Sequence, residues 1–160
     1  MTAPVNAPVN DRILVVQPET DDPPHLFGEW LEEAGARLEI CRPYAGEPVP
    51  TADGYAGLLV MGGAMSANDD EVLEWVGPVK ELIRDAVSSG VPTLGICLGH
   101  QLMGAALGGR VTPNPLGHQV VVPLDADRLL TDIKEARAEL DRAWAPLAAG
   151  FADIAIGVPG

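Results

Sequence analysis

Four short aliphatic runs, each closed by a turn signal and separated by stretches with helical spacing, limit what this chain can fold into more than any other feature. Arg12-Ile13-Leu14-Val15-Val16-Gln17 is the first, and its β-branched residues suit a buried strand. Asp21, Asp22, Pro23 and Pro24 follow as turn and helix-start signals. Leu26, Trp30, Leu31 and Ala34 then fall on one helical face, which Gly35 ends. Arg37 to Cys41 reads as a second strand and Gly54 to Met61 as a third, running into Gly62-Gly63. Asp69, Asp70 and Glu71 suit the start of a helix, where acidic groups meet the positive dipole end. Trp75, Val79, Leu82, Ile83 and Val87 give that helix an apolar face, and Ser88-Ser89-Gly90 ends it. Val91 to Ile96 is the fourth strand and Leu98 to Leu107 the helix after it. This alternation makes βαβ units. The expected fold class is therefore α/β, an open, mainly parallel sheet with helices on both faces.

Composition supports a single domain. The chain has 160 residues, 47% of them hydrophobic and only 4% aromatic, so its core must be aliphatic. Met1 to Asn10 repeats Ala-Pro-Val-Asn and reads as a flexible tail, leaving residues 11–160 as the domain. The net charge of −13, from 10 basic and 23 acidic residues, argues against a nucleic-acid partner and against an anionic membrane surface. Two cysteines in a domain this size, with no signal-like N-terminus and no apolar stretch of spanning length, suggest a cytoplasmic protein. No metal-ligand cluster or cofactor motif stands out.

Beyond Pro115 the pattern changes. Gln119 to Pro123 reads as one more strand, and from Asp125 the chain becomes helical. Leu129, Ile133, Ala136, Leu140, Trp144 and Leu147 step along one face, Pro146 should kink or restart the helix, and Ile154 to Gly160 should fray.

The chemistry is concentrated where the fourth strand meets its helix. Gly95-Ile96-Cys97-Leu98-Gly99 is G-x-C-x-G, the cysteine form of a nucleophile elbow. A sharp strand-to-helix turn lifts the side chain to the carboxyl edge of the sheet, and small neighbours let backbones cross closely. A helix N-terminus behind Cys97 favours negative charge on its sulfur, and the Leu98 N–H faces a nascent oxyanion. Taken alone, the pentapeptide is equally compatible with a small core cysteine in an ordinary βα turn, and Gly62-Gly63 with a plain turn after a strand.

Longer stretches carry a resemblance. Gly95-Ile96-Cys97-Leu98-Gly99-His100-Gln101-Leu102 resembles the nucleophile motif of the class I glutamine amidotransferases, and Met61-Gly62-Gly63-Ala64-Met65-Ser66 resembles their glycine-rich oxyanion segment. The two stand in the family's order and at about its spacing, within a similarity running from about Arg12 to Pro115. Ala143-Trp144-Ala145-Pro146-Leu147 resembles the tail of free-standing members related to the glutaminase part of GMP synthase. The resemblance implies that Cys97 attacks the side-chain amide of glutamine. It further implies that Gly63 and Leu98 donate N–H groups to the oxyanion, and that Gly62 and Gln101 line the glutamine pocket. Ammonia leaves, and water resolves the γ-glutamyl thioester. A separate ammonia-accepting synthetase is the partner implied. γ-Glutamyl hydrolases are a weaker enzymatic match.

The sequence departs from that pattern where a base is needed. The family carries a histidine and, two residues later, a glutamate beyond the nucleophile, and no His-x-Glu follows Cys97 here. Of the three histidines, His25 reads as a surface residue and His100 lies on the helix that Cys97 opens. His118, followed by Gln119 and Val120, is the one downstream candidate. The chain passes abruptly into its terminal helix, as if shortened near residues 117–125. The expected sheet therefore lacks some C-terminal strands and leaves an edge that invites self-association. Three readings compete: a glutaminase, a catalytically impaired pseudo-amidotransferase acting as a binding or regulatory module, and a truncated non-functional product.

Overall fold

A computed structural model describes residues 10–112 and 126–157, with side chains in the last helix from Lys134 onward. Four strands, β1 (Arg12–Val16), β2 (Arg37–Cys41), β3 (Gly57–Val60) and β4 (Thr93–Gly95), form one parallel sheet in the order β2-β1-β3-β4. Four helices, α1 (His25–Glu33), α2 (Val76–Ser88), α3 (Leu98–Ala106) and α4 (Ala126–Ile156), pack on its two faces. The α/β class, the parallel sheet, the helices on both faces and the C-terminal helix all agree with the sequence. The tail at residues 1–9, His118 and the strand expected at Gln119 to Pro123 lie outside the described residues.

The two cores follow from strand alternation. Leu14, Val16, Leu58 and Val60 point to one face, where Val76, Val79, Leu82 and Ile83 of α2 and Leu98 and Leu102 of α3 cover them. Ile13, Val15, Leu59 and Met61 point to the other, against Trp30 and Leu31 of α1 and Ala148, Phe151 and Ala152 of α4. Ile13, Leu14, Val15 and Val16 are all buried, which explains why the first run is continuously apolar. Each such side chain contributes about 2 kcal/mol by leaving water.

Polar contacts fix α4 against α1. Trp30 Nε1 donates to Asp141 Oδ1 at 2.9 Å, and Arg137 Nε donates to the same oxygen at 2.8 Å. The Arg137 hydrogen bond, with help from Trp30, holds the Asp141 carboxyl below the usual carboxylate range.

Several expectations from the sequence are corrected. The helix expected to start at Asp69–Glu71 begins at Val76. Asp69 instead closes a turn on itself, its Oδ2 accepting from Ser66 N and its carbonyl from Val72 N and Leu73 N. Asp70 pairs with the buried Lys80. Pro146 lies inside one uninterrupted helix, with its ring on the exposed side. Trp144 and Leu147 are exposed, and α4 seats Ala145, Ala148, Phe151, Ala152, Ala155 and Ile156 instead. Small side chains win because the sheet approaches closely: a Cβ on Gly57 would lie 3.0 Å from that of Ala155. The end of α4 does not fray at Ile154, since Ile156 remains helical and buried.

The chain leaves β1 for β2 on one side and returns for β3 on the other. The switch point lies between β1 and β3, and open α/β sheets bind ligands beyond the carboxyl ends of strands at such a crevice.

Candidate active site

Cys97 is the second of the two residues between β4 and α3, with φ 52° and ψ −108°. A non-glycine residue at positive φ is strained and persists only where its surroundings force it. Here they do. Ile96 N donates to Val60 O at 2.9 Å, tying the strand end to β3, and Gly99 N donates to Ile96 O at 2.9 Å, so the chain doubles back at once. A Cβ on Gly95 would lie 2.5 Å from Gly99 C and 2.7 Å from His100 N. A Cβ on Gly99 would be driven into the Val60 carbonyl. Both glycines are required by close backbone crossing, and the side chain between them is exposed.

The other cysteine differs in each respect. Cys41 ends β2, is buried, and has its Sγ 3.6 Å from Pro48 O. Burial, and secondarily the Glu47 charge, push its thiol up from the ordinary value.

The glycine turn after β3 meets the nucleophile turn side by side. A Cβ on Gly62 would lie 3.4 Å from Cys97 Cβ, and one on Gly63 3.0 Å from Leu98 Cδ2. Gly62, Gly63, Cys97 and Leu98 are thus brought together at the carboxyl ends of neighbouring strands. Among the described residues, neither the Gly63 N–H nor the Leu98 N–H donates to a protein acceptor. Gln101 lies one turn further along α3, half-buried, its N–H accepted by Cys97 O at 3.2 Å. His100 is exposed on α3, and His25 is exposed at the first residue of α1. Cys41 is the one cysteine whose thiol has a hydrogen-bond partner among the described residues, so no histidine there is bonded to Cys97.

The loop after β1 completes the crevice, and its contribution was missed in the sequence. Gln17 is 3% exposed, and its Nε2 donates to Glu19 O at 2.8 Å. Glu19 Oε2 accepts from Ala64 N at 3.1 Å. The Asp22 carboxylate abuts Gly62 on the side that also faces Cys97. These residues read as a strand end and a turn. The signal that could have found them is positional, because the loop after the first strand borders the switch point.

A cleft of about 560 Å³ lies elsewhere, lined by Pro43, Tyr44, Glu47, Leu73, Trp75 and Pro78 among others, and no cysteine, serine or threonine lines it. Among the described residues no group of three or more His, Cys, Asp or Glu side chains could hold a metal ion, and no helix is long and apolar enough to cross a membrane.

Fold and site together define an α/β domain with an exposed cysteine held at a strained strand-to-helix turn. Residues 26–140 match the model of the class I glutamine amidotransferases, and the chain belongs to that family. It is 33% identical over 122 residues to the glutamine amidotransferase-like protein YfeJ of Salmonella typhimurium, covering 72% of this chain and 51% of that one. It is 37% identical over 114 residues to the glutamine-hydrolyzing GMP synthase of Alkalilimnicola ehrlichii, covering 69% of this chain and 20% of that one. The crystal structure of a glutamine amidotransferase from Methylobacillus flagellatus superposes with a TM-score of 0.62 at 39% identity, covering 66% of this chain and 42% of that one. The chain thus spans about half the length, or less, of these relatives.

Proposed function

We propose that the domain binds glutamine at the crevice between the glycine turn and the nucleophile turn, with Cys97 as the attacking group. In the first step the sulfur bonds to the side-chain amide carbon, the C–N bond breaks, and the nitrogen takes a proton and leaves as ammonia. Water then cleaves the γ-glutamyl thioester to glutamate and frees the thiol. Gly63 and Leu98 carry the oxyanion through their backbone N–H groups, and Gly62 and Gln101 border the amino-acid pocket. The observation that carries this reading is the exposed, strained Cys97 with two N–H groups beside it that find no acceptor among the described residues. Relatives named as GMP synthase and as the small chain of carbamoyl phosphate synthase motivate a separate ammonia-accepting synthetase as partner. The reduced thiols and acidic charge fit a cytoplasmic setting.

A second reading keeps the pocket and loses the turnover. No histidine among the described residues is bonded to Cys97, and the sequence has no His-x-Glu after it. General-base assistance is worth about 100- to 10,000-fold, so an unassisted thiol hydrolyses glutamine slowly. Ammonia release by the purified chain, beside Cys97→Ala, separates the readings. Turnover normal for an amidotransferase that vanishes in C97A supports the glutaminase and makes His118, or a group on another chain, the base. Glutamine binding with negligible release in both proteins supports the impaired module.

A further inference from the structure

Glu19 bridges the two loops that flank the switch point. It stands on the β1–α1 loop, and the N–H it accepts belongs to Ala64, the residue directly after the candidate oxyanion donor Gly63. Its own backbone is anchored from below. Gln17, buried at the end of β1, donates to Glu19 O at 2.8 Å and to Thr20 O at 3.3 Å, while Gln17 N is tied to Cys41 O at 2.9 Å. Pro18 packs on the same turn, its Cβ 3.3 Å from where a Gly63 side chain would begin. A two-glycine turn has unusual freedom to rotate its peptide planes, and without an outside partner nothing in Gly62-Gly63 selects one orientation.

We infer that Glu19 is a positioning residue for the oxyanion donor. By taking the Ala64 N–H, its carboxylate fixes the Gly63–Ala64 peptide plane and, through Gly63, restrains the preceding plane, whose Gly63 N–H has no acceptor among the described residues. A carboxylate suits this task because an ionised acceptor binds an amide N–H more strongly than a neutral oxygen does; the distance here is 3.1 Å. Glu19 acts through the turn, its one side-chain hydrogen bond among the described residues being that from Ala64 N. The catalytic consequence rests on the glutaminase reading; the hold on the turn does not.

The test uses the full chain as wild type, Glu19→Ala and Glu19→Gln. Amide exchange at Ala64, followed by NMR, reports the bond itself. It accelerates about fivefold in E19A and stays near wild type in E19Q, whose amide oxygen still accepts. Alkylation of Cys97 is then compared between a glutamine-analogue chloroketone, which needs an oxyanion donor, and iodoacetamide, which does not. The ratio of the two rates falls about tenfold in E19A and within about twofold in E19Q. A purely structural role would move both reagents together. Unchanged Ala64 exchange in E19A, or an unchanged rate ratio, overturns the inference. Should the chloroketone fail to single out Cys97 in the wild type, the glutaminase reading falls, and Ala64 exchange still decides whether Glu19 holds the turn.

Discussion

The two edges of the sheet are built from the same material and end differently. β2 and β4 are both parallel strands with one neighbour each among the described residues, and each leads to a cysteine at its carboxyl end. After β2 the chain relaxes into a short 3-10 turn, Pro43–Ala45, and Cys41 stays inside. After β4 two glycines force an immediate reversal, and Cys97 is turned outward. The edges themselves also differ. β2 carries Arg37 and Glu39, whereas β4 carries Thr93, Leu94 and Gly95. Exposure of the thiol here comes from the steric demand of the turn that follows a strand, and protection of the edge from the charges along it.

The strongest way to break the comparison is to make the β4 turn resemble the β2 turn. Gly99→Ala pushes a methyl group into the Val60 carbonyl, and roughly 3 kcal/mol of stability is lost. Gly46→Ala is the control after β2: its φ is 83°, but no atom lies within 4 Å of the added carbon, and the loss is about 1 kcal/mol. Denaturant unfolding of both variants measures the gap, and equal losses would mean that crowding does not define the elbow.

The thiols should differ next. Iodoacetamide labels Cys97 about 100-fold faster than Cys41 at neutral pH, as read by peptide mapping. Because burial raises the Cys41 value, its thiolate forms only above the ordinary thiol range, so its rate climbs late with pH. The stability held in the protonated Cys41 is complete below the ordinary thiol value and is lost as pH rises through the raised one. Faster labelling at Cys41 would sink the comparison.

The edges can be set against each other in solution. β4 carries no charged side chain and pairs on one side alone among the described residues, so the chain should self-associate through it, and Leu94→Lys should weaken association about tenfold in sedimentation. An equal effect from a second charge on β2, at Ile40→Lys, would show that edge composition is irrelevant.

The smallest effect lies at the guarded edge. Arg12 donates to both oxygens of Glu39, at 2.6 and 2.8 Å, and Tyr55 adds a third bond. These hold the Glu39 carboxyl down at about 2, the Arg12 bond foremost. A depressed folded value gives stability that is present above the ordinary carboxylate range and lost as pH falls toward about 2. The melting temperature of the wild type should therefore drop more steeply in acid than that of Glu39→Gln. Parallel acid curves would remove the network from the account of this edge.

The alternation of strands and helices and the turn at Cys97 were legible because both rest on local rules. Aliphatic runs of strand length need no partner to be recognised, and G-x-C-x-G marks a place where backbones must cross. The face of α4 was misread because Trp144 and Leu147 continue the apolar spacing of Ile133 and Leu140, yet the sheet approaches at Gly57 and selects alanines. The start of α2 was misread because Asp69 satisfies its own turn. Glu19 and Asp22 escaped notice since their contacts lie across 45 and 40 positions of chain, with no periodicity to announce them.

The bond between Trp30 and Asp141 spans 111 positions, and that distance bears on the order in which the molecule assembles. The layer of α2 and α3 is close in sequence to the strands it covers and can form early, while the helix that seals the opposite layer must close a long loop first. Until it arrives, Ile13, Val15 and Leu59 are covered on that side by α1 alone. The nucleophile turn belongs to the early layer. A folding chain would thus reach a stage with the elbow formed and an oily face still bare, the species most prone to capture by a chaperone or by its own kind.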